Sequence, residues 1–219
     1  MKRFLIISFL LFTLSSFSQK DSTLVYFEYV ENEDLRLINE LSGIQMITLS
    51  CSDTLMHNKH FFLSVYEYFE GQLKSVDSLN MTCVDQEYSM ITGEDTIVYT
   101  VNYCDYICFD EHKDKFSMRL AGKLIDDSLN LIIKYPSFVV KRKLKGNKEF
   151  SLREVISENG KDAKIKVNSK VPVFAYTSPF DSGGGIKSYC LLEGDDPKNW
   201  FQKYNIKHYY IFFLEIKNI

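Results

Sequence analysis

A two-residue alternation of apolar and polar side chains runs through most of this chain and restricts its fold before any other property is considered. Ile47, Leu49 and Cys51 alternate with Thr48, Ser50 and Ser52. Phe116, Met118, Leu120 and Leu124 alternate with Ser117, Arg119, Ala121 and Lys123, and Leu129, Leu131, Ile133 and Tyr135 with Asn130, Ile132 and Lys134. Successive side chains of a strand point to opposite faces, so each stretch predicts a half-buried β-strand. Further strands are predicted at 61–69, 73–83, 96–109, 138–144 and 171–176. The stretch 209–216 is apolar on both faces for most of its length, the pattern of a central strand. Asp126-Asp127-Ser128 and Glu70-Gly71 are turn sequences between such runs. Ser151-Leu152-Arg153-Glu154 matches a helix capping box. Asn159-Gly160 shortly after it is the stronger signal, and it predicts a hairpin with Ile165 and Val167 beyond the turn.

Only two segments break the alternation in favour of helix. Asn32 can cap a helix near 33–42, with acids in its first turn, Gly43 as its stop, and Leu35, Leu37, Ile38 and Leu41 as its buried stripe. Asp196 followed by Pro197 starts a second near 197–204, which would turn Trp200, Phe201 and Tyr204 to the core. Short strands joined by short connections exclude a parallel α/β fold. They predict a mainly β chain, an antiparallel β-sandwich or partly open barrel with two short helices.

The first eighteen residues stand apart. Lys2 and Arg3 precede an apolar run, Phe4 to Leu14, and Ser16-Phe17-Ser18 supplies the small-x-small pattern of a signal-peptidase site. The run is too short to span a bilayer, and no cysteine stands at the cleavage point to take a lipid. This leader resembles those of proteins exported by Gram-negative bacteria. The expectation is a cleaved signal peptide at 1–18, a mature chain from Gln19 in the periplasm or outside the cell, and no later transmembrane span. Residues 19–219 then form one β-rich domain with a possible subdivision at Gly146-Asn147. At 45% hydrophobic and 15% aromatic residues, the chain has ample material for a core.

Without Lys2 and Arg3, 24 of the 26 basic residues face 29 acids, which gives no reason to expect nucleic-acid binding. The charge is uneven, because residues 141–170 carry 10 basic residues against 4 acids. Within this segment Lys141, Arg142, Lys143, Lys164 and Lys166 are candidates for an anion patch facing acidic polysaccharide or lipid headgroups. The plainer alternative is a solvated face of two adjacent hairpins with lysines blunting a sheet edge.

No catalytic or metal constellation follows from spacing alone. Cys51, Cys83, Cys104, Cys108 and Cys190 are odd in number, so at least one is left over from any disulfides an oxidising compartment allows. Cys104, Cys108 and His112 share a four-residue spacing, but the strand-like sequence before them would spread them beyond shared-metal reach. His57 and His60 alone do not close a metal site. Asp110-Glu111, Glu94-Asp95, Asp126-Asp127 and Asp195-Asp196 read as turn and cap residues. The run Gly183-Gly184-Gly185 within 177–188 lacks the context of a phosphate loop and predicts a flexible hairpin loop. Were it instead a flap over a ligand, Tyr176, Phe180 and Trp200 would line the site as aromatic platforms. The expected function is an exported, non-catalytic β-rich protein, without cofactor, that binds a ligand such as a polysaccharide or an envelope protein. The alternatives are a secreted glycan hydrolase using dispersed carboxylates and a structural envelope component.

Overall fold

The computed structural model describes residues 22–51, 59–79, 85–93, 95–102, 116–136, 138–155, 162–181, 184–188 and 196–218. Along the chain run β1 (Ser22–Glu28), α1 (Glu33–Leu41), β2 (Ile44–Cys51), β3 (Lys59–Phe69), β4 (Gln72–Ser78), β5 (Asp85–Thr92) and β6 (Asp95–Asn102). They continue as β7 (Phe116–Ile125), β8 (Ser128–Lys134), β9 (Val139–Lys145), β10 (Ser151–Glu154), β11 (Asp162–Lys166), β12 (Lys170–Thr177), β13 (Phe180–Asp181) and β14 (Lys187–Ser188). A 3-10 turn at Pro197–Asn199, α2 (Trp200–Tyr204) and β15 (His208–Asn218) complete the order. The chain is mainly β, its sheets are antiparallel, and no barrel closes among the described residues.

Two sheets face each other. One has six strands in the order β11-β1-β2-β7-β8-β9, the other five in the order β10-β12-β15-β3-β4. The inward positions of both contribute to one buried cluster: Leu49, Met118, Leu131 and Ile133 from the first sheet meet Leu63, Phe174, Phe212 and Leu214 from the second. The alternation thus translates directly into a sandwich core. A second cluster lies on the other face of the five-stranded sheet, where Trp200, Ile206 and Phe180 pack on Tyr209, Ile211 and Ala175. That second layer explains the sequence of β15. The strand lies in the middle of its sheet and is covered on both sides, so Tyr210, Phe212 and Leu214 serve one core while Tyr209 and Ile211 serve the other.

Local chemistry sets the turns and caps as expected. Glu70 and Gly71, at φ 51° and 76°, turn β3 into β4, and Asp126, at φ 56°, helps turn β7 into β8. Asn32 Oδ1 accepts from the Leu35 amide at 2.9 Å at the start of α1, and Asp196 Oδ1 from Lys198 N at 3.0 Å. Of the triple-glycine run, Gly184 and Gly185 lie between β13 and β14, both with positive φ.

Two expectations fail. The stretches on either side of Asn159-Gly160 do not form a hairpin, because β10 pairs with β12 in one sheet and β11 with β1 in the other. Asn159 and Gly160 themselves lie outside the described residues. The apolar stripe of α1 is not buried either. Leu35, Leu37, Ile38 and Leu41 are 46%, 54%, 57% and 81% exposed, whereas Asn39 is the helix's buried residue. The helix packs through its polar face.

Candidate functional site

The aromatic residues singled out from the glycine loop are all core residues. Tyr176, Phe180 and Trp200 are at most 3% exposed, and they are divided between the two clusters, Tyr176 in the one between the sheets and Phe180 and Trp200 in the outer one. Neither of the two cavities described below is lined by them. Tyr176 Oη and Trp200 Nε1 are buried without a hydrogen-bond partner among the described residues. Burial alone pushes the Tyr176 hydroxyl up to about 12.

The basic residues divide in the same way. Lys141, Arg142 and Lys143 stand on β9, Lys164 and Lys166 on β11, and these strands are the opposite edges of the six-stranded sheet. Five strand spacings of about 4.8 Å separate the edges along the sheet. The two sets therefore form no single patch; each lines its own edge with lysine, as an edge exposed to pairing requires. The hairpins are not adjacent.

Arg142 differs from its lysine neighbours because it alternates inward. Its Nε donates to Asp77 Oδ2 at 2.6 Å and its Nη2 to the Ser78 carbonyl at 2.9 Å, both on β4. A cavity of about 360 Å³ opens beside this clasp between β9 and the β4-β3-β15 side of the other sheet. Glu67 is its centre: Oε1 accepts from Tyr210 Oη at 3.1 Å and lies 2.9 Å from His208 Nε2, and Oε2 accepts from Ser75 Oγ at 3.0 Å. Tyr210 Oη in turn accepts from the Lys145 amide at 3.1 Å. Burial raises the Glu67 carboxyl, but the hydrogen bonds from His208, Ser75 and Tyr210 outweigh it and hold the group below its ordinary value. Burial, with the Glu67 charge second, pushes the Tyr210 hydroxyl up.

This constellation has the residue types of a hydrolase but not the arrangement. The carboxylate stands between serine and histidine, so His208 does not contact the Ser75 hydroxyl it would need to activate. A glycosidase pair needs one carboxyl held protonated as the acid; Glu67 is shifted the opposite way, and Asp77 is ion-paired with Arg142. The network ties β3, β4, β9 and β15 together. Sequence reasoning did not find it, because its members are spread from Glu67 to Tyr210.

The second cavity, about 370 Å³, lies under α1, where Arg36, Asn39 and Glu40 face Tyr29, Val30, Ile44, Gln45 and Met46. Gln45 closes its floor: Oε1 accepts from the Leu152 amide at 2.6 Å, and Nε2 reaches the Phe150 carbonyl at 3.5 Å, fastening β10 to β2. Tyr29 is hydrogen-bonded to Glu154, and burial followed by that bond raises its hydroxyl above the ordinary value. With Arg36, Asn39 and Glu40 turned to this cavity, α1 presents Leu35, Leu37, Ile38 and Leu41 to solvent, with Glu33 and Asp34 beside them. A second exposed apolar surface lies on the β5–β6 hairpin, where Met90, Ile97 and Tyr99 share one face with Tyr88, whose ring stacks on Tyr99 at 5.8 Å.

No group of three or more histidine, cysteine, aspartate or glutamate residues positioned for a metal occurs among the described residues. Cys83, Cys104, Cys108, Cys190, His57 and His112 lie outside them. Cys51 is a buried thiol 3.2 Å from Thr23 Oγ1. His60 sits in β3, stacked on Phe62. Among the described residues no helix is long and apolar enough to cross a membrane. No protein-family model, curated protein or solved structure matches the chain.

Proposed function

We propose that this chain is an exported, non-catalytic β-sandwich protein that binds an envelope protein partner through the outer face of α1. The observation that carries the reading is the inverted helix, whose four large aliphatic side chains face solvent while its asparagine is buried. Exposed apolar residues scattered singly are ordinary on a surface; a contiguous set on one helix face is the pattern of a helix-in-groove anchor. Glu33 and Asp34 beside it favour a groove with a basic rim. The leader pattern at 1–18, with Gln19 shortly before β1, supports the export part of this reading.

The test is a photo-crosslinking amino acid at position 41, compared with the same group at Ile132, an exposed position on the sheet, in cells producing the chain. A discrete adduct from position 41 alone, abolished by Leu37→Glu, is the expected result. An adduct of twice the chain's mass would replace the partner with a second copy, and indistinguishable labelling from both positions would remove the binding face.

A further inference from the structure

From the cavity beneath α1 we infer that the polar side of this helix forms a binding site for a small monocarboxylate with a short aliphatic body. The site is separate from the outer face proposed for a protein partner, because α1 contributes Arg36, Asn39 and Glu40 to its lining and none of Leu35, Leu37, Ile38 and Leu41.

Three features specify the ligand. Asn39 is 9% exposed, and its Nδ2 has no hydrogen-bond partner among the described residues. A buried donor left unmade is costly, and native structures ordinarily satisfy it with protein, water or ligand. The missing group is therefore an acceptor. Arg36, three residues away and on the same helix face, also lines the cavity. The Glu33 carboxylate, 3.6 Å away with both side chains well exposed, is a weak competitor for its guanidinium. A guanidinium beside a carboxamide donor selects an anionic planar acceptor, which is a carboxylate. Val30, Ile44 and Met46 line the rest of the cavity and suit an aliphatic body. Its volume of about 370 Å³ lies within the range of small-molecule sites.

Glu40 lines the same cavity and limits the charge the ligand can carry. A second anionic group would meet its carboxylate, so dicarboxylates and phosphates are disfavoured. An ammonium group on the ligand would meet it favourably. Asn39 lines the cavity, and rotation about χ2, a broad, roughly two-fold torsion, would turn Nδ2 from its buried position toward the ligand.

The probe is 4-methylpentanoate, titrated into the purified isotope-labelled chain while the Asn39 side-chain amide and Met46 methyl resonances are followed. Saturable shifts of both signals are expected, with leucine testing the added ammonium and 4-methylpentanamide the loss of charge. Arg36→Gln should weaken carboxylate binding about tenfold, the effect of one charge-assisted hydrogen bond, and leave amide binding unchanged. Asn39→Leu, which keeps the volume and removes the donor, should abolish the carboxylate response and leave a folded chain. Leu41→Glu, which alters the outer face, should leave the titration unaltered. Failure of the partner reading therefore does not touch this site, or the reverse. Non-saturating shifts, or equal binding of acid and amide with no effect of Arg36→Gln, would overturn the proposal. Retained binding by Asn39→Leu would also overturn it and reduce the orphan amide to a packing defect.

Discussion

Gly146 is the position where the structure makes its sharpest quantitative demand. A Cβ built there would lie 2.3 Å from Tyr176 Oη, 2.7 Å from Cε1 and 2.8 Å from Cζ, where ordinary contact begins at 3.4 Å. The ring has little room to withdraw. Tyr176 is fully buried, with Phe150 edge-on at 5.2 Å and Tyr210 at 6.2 Å, and the Gly146 amide is held by the Asp127 carbonyl at 2.8 Å. Overpacking costs typically about 1 to 3 kcal/mol; with an ångström of overlap and two immobile sides, Gly146→Ala should fall near the upper end. Tyr176→Phe tests the same contact from the other side. Its hydroxyl is buried without a partner among the described residues, so removing it should be neutral or stabilising by up to about 1 kcal/mol. Adding it to Gly146→Ala should recover only part of the loss, because the two ring carbons remain too close. Urea unfolding followed by Trp200, the single tryptophan and itself buried, reads all three variants. In thermal melts read by the same signal, each kcal/mol should move the midpoint temperature of a domain of this size by about 2 to 4 °C. Gly146→Ala within about 0.5 kcal/mol of the parent, or Tyr176→Phe destabilising by more than about 1 kcal/mol, would refute the packing argument.

Gln45→Ala removes both side-chain bonds that fasten β10 to β2 and leaves the Leu152 amide without an acceptor, so it should cost about 1 to 2 kcal/mol and speed proteolysis within 146–155, measured by limited digestion. The pH profile should fall at both ends. Glu67 is held below its ordinary value in the folded chain, so its contribution is complete above the usual carboxylate range and is lost as pH falls through the lowered folded value. The tyrosines act in reverse: Tyr176 is raised from 10.0 to about 12, and Tyr135, Tyr209 and Tyr210 are also raised. Above pH 10 the unfolded chain loses phenolic protons that the folded chain keeps, so stability should decline as pH rises toward 12. A fraction of the tyrosinate absorbance should therefore appear only together with loss of Trp200 signal; complete ionisation of the chain's 14 tyrosines before unfolding would contradict the burial of these four.

The period of two fixed the strands because it records a direct physical requirement, one face in the core. Leu129, Leu131 and Ile133 are buried at 1% exposure or less, while the intervening Ile132 is 43% exposed. The double apolarity of β15 was legible for the same reason. Partner choice was not. Asn159-Gly160 sits between two strands of proper pattern, but β10 and β11 join different sheets, and nothing in a local pattern states which edge a strand will meet. The lysines of β9 and β11, which fall within the one basic stretch 141–170, end at opposite edges for that reason, and the Glu67 network escaped notice because pairing brings together residues more than a hundred positions apart.

The helix exposes a different limit. Periodicity identifies two faces of α1 and locates both correctly, but it does not say which one is bound to the fold. The usual inference assigns the apolar face inward, because fully burying a leucine or isoleucine contributes about 1.5 to 3 kcal/mol. Four such residues left about half exposed forgo several kcal/mol, a large fraction of the net stability of a domain, which is about 5 to 15 kcal/mol. Polar contacts on the inner side do not recover that amount, since Asn39 Nδ2 has no hydrogen-bond partner among the described residues and Arg36 is largely exposed. An arrangement so unfavourable in the isolated chain is consistent with both readings of α1: burial of the outer aliphatic side chains against a partner and satisfaction of the inner amide by a ligand each supply a part of what the free fold lacks. Removing Leu37 and Leu41 together should therefore leave the isolated domain's stability nearly unchanged, whereas the same substitutions in Leu131 and Ile133 should prevent folding.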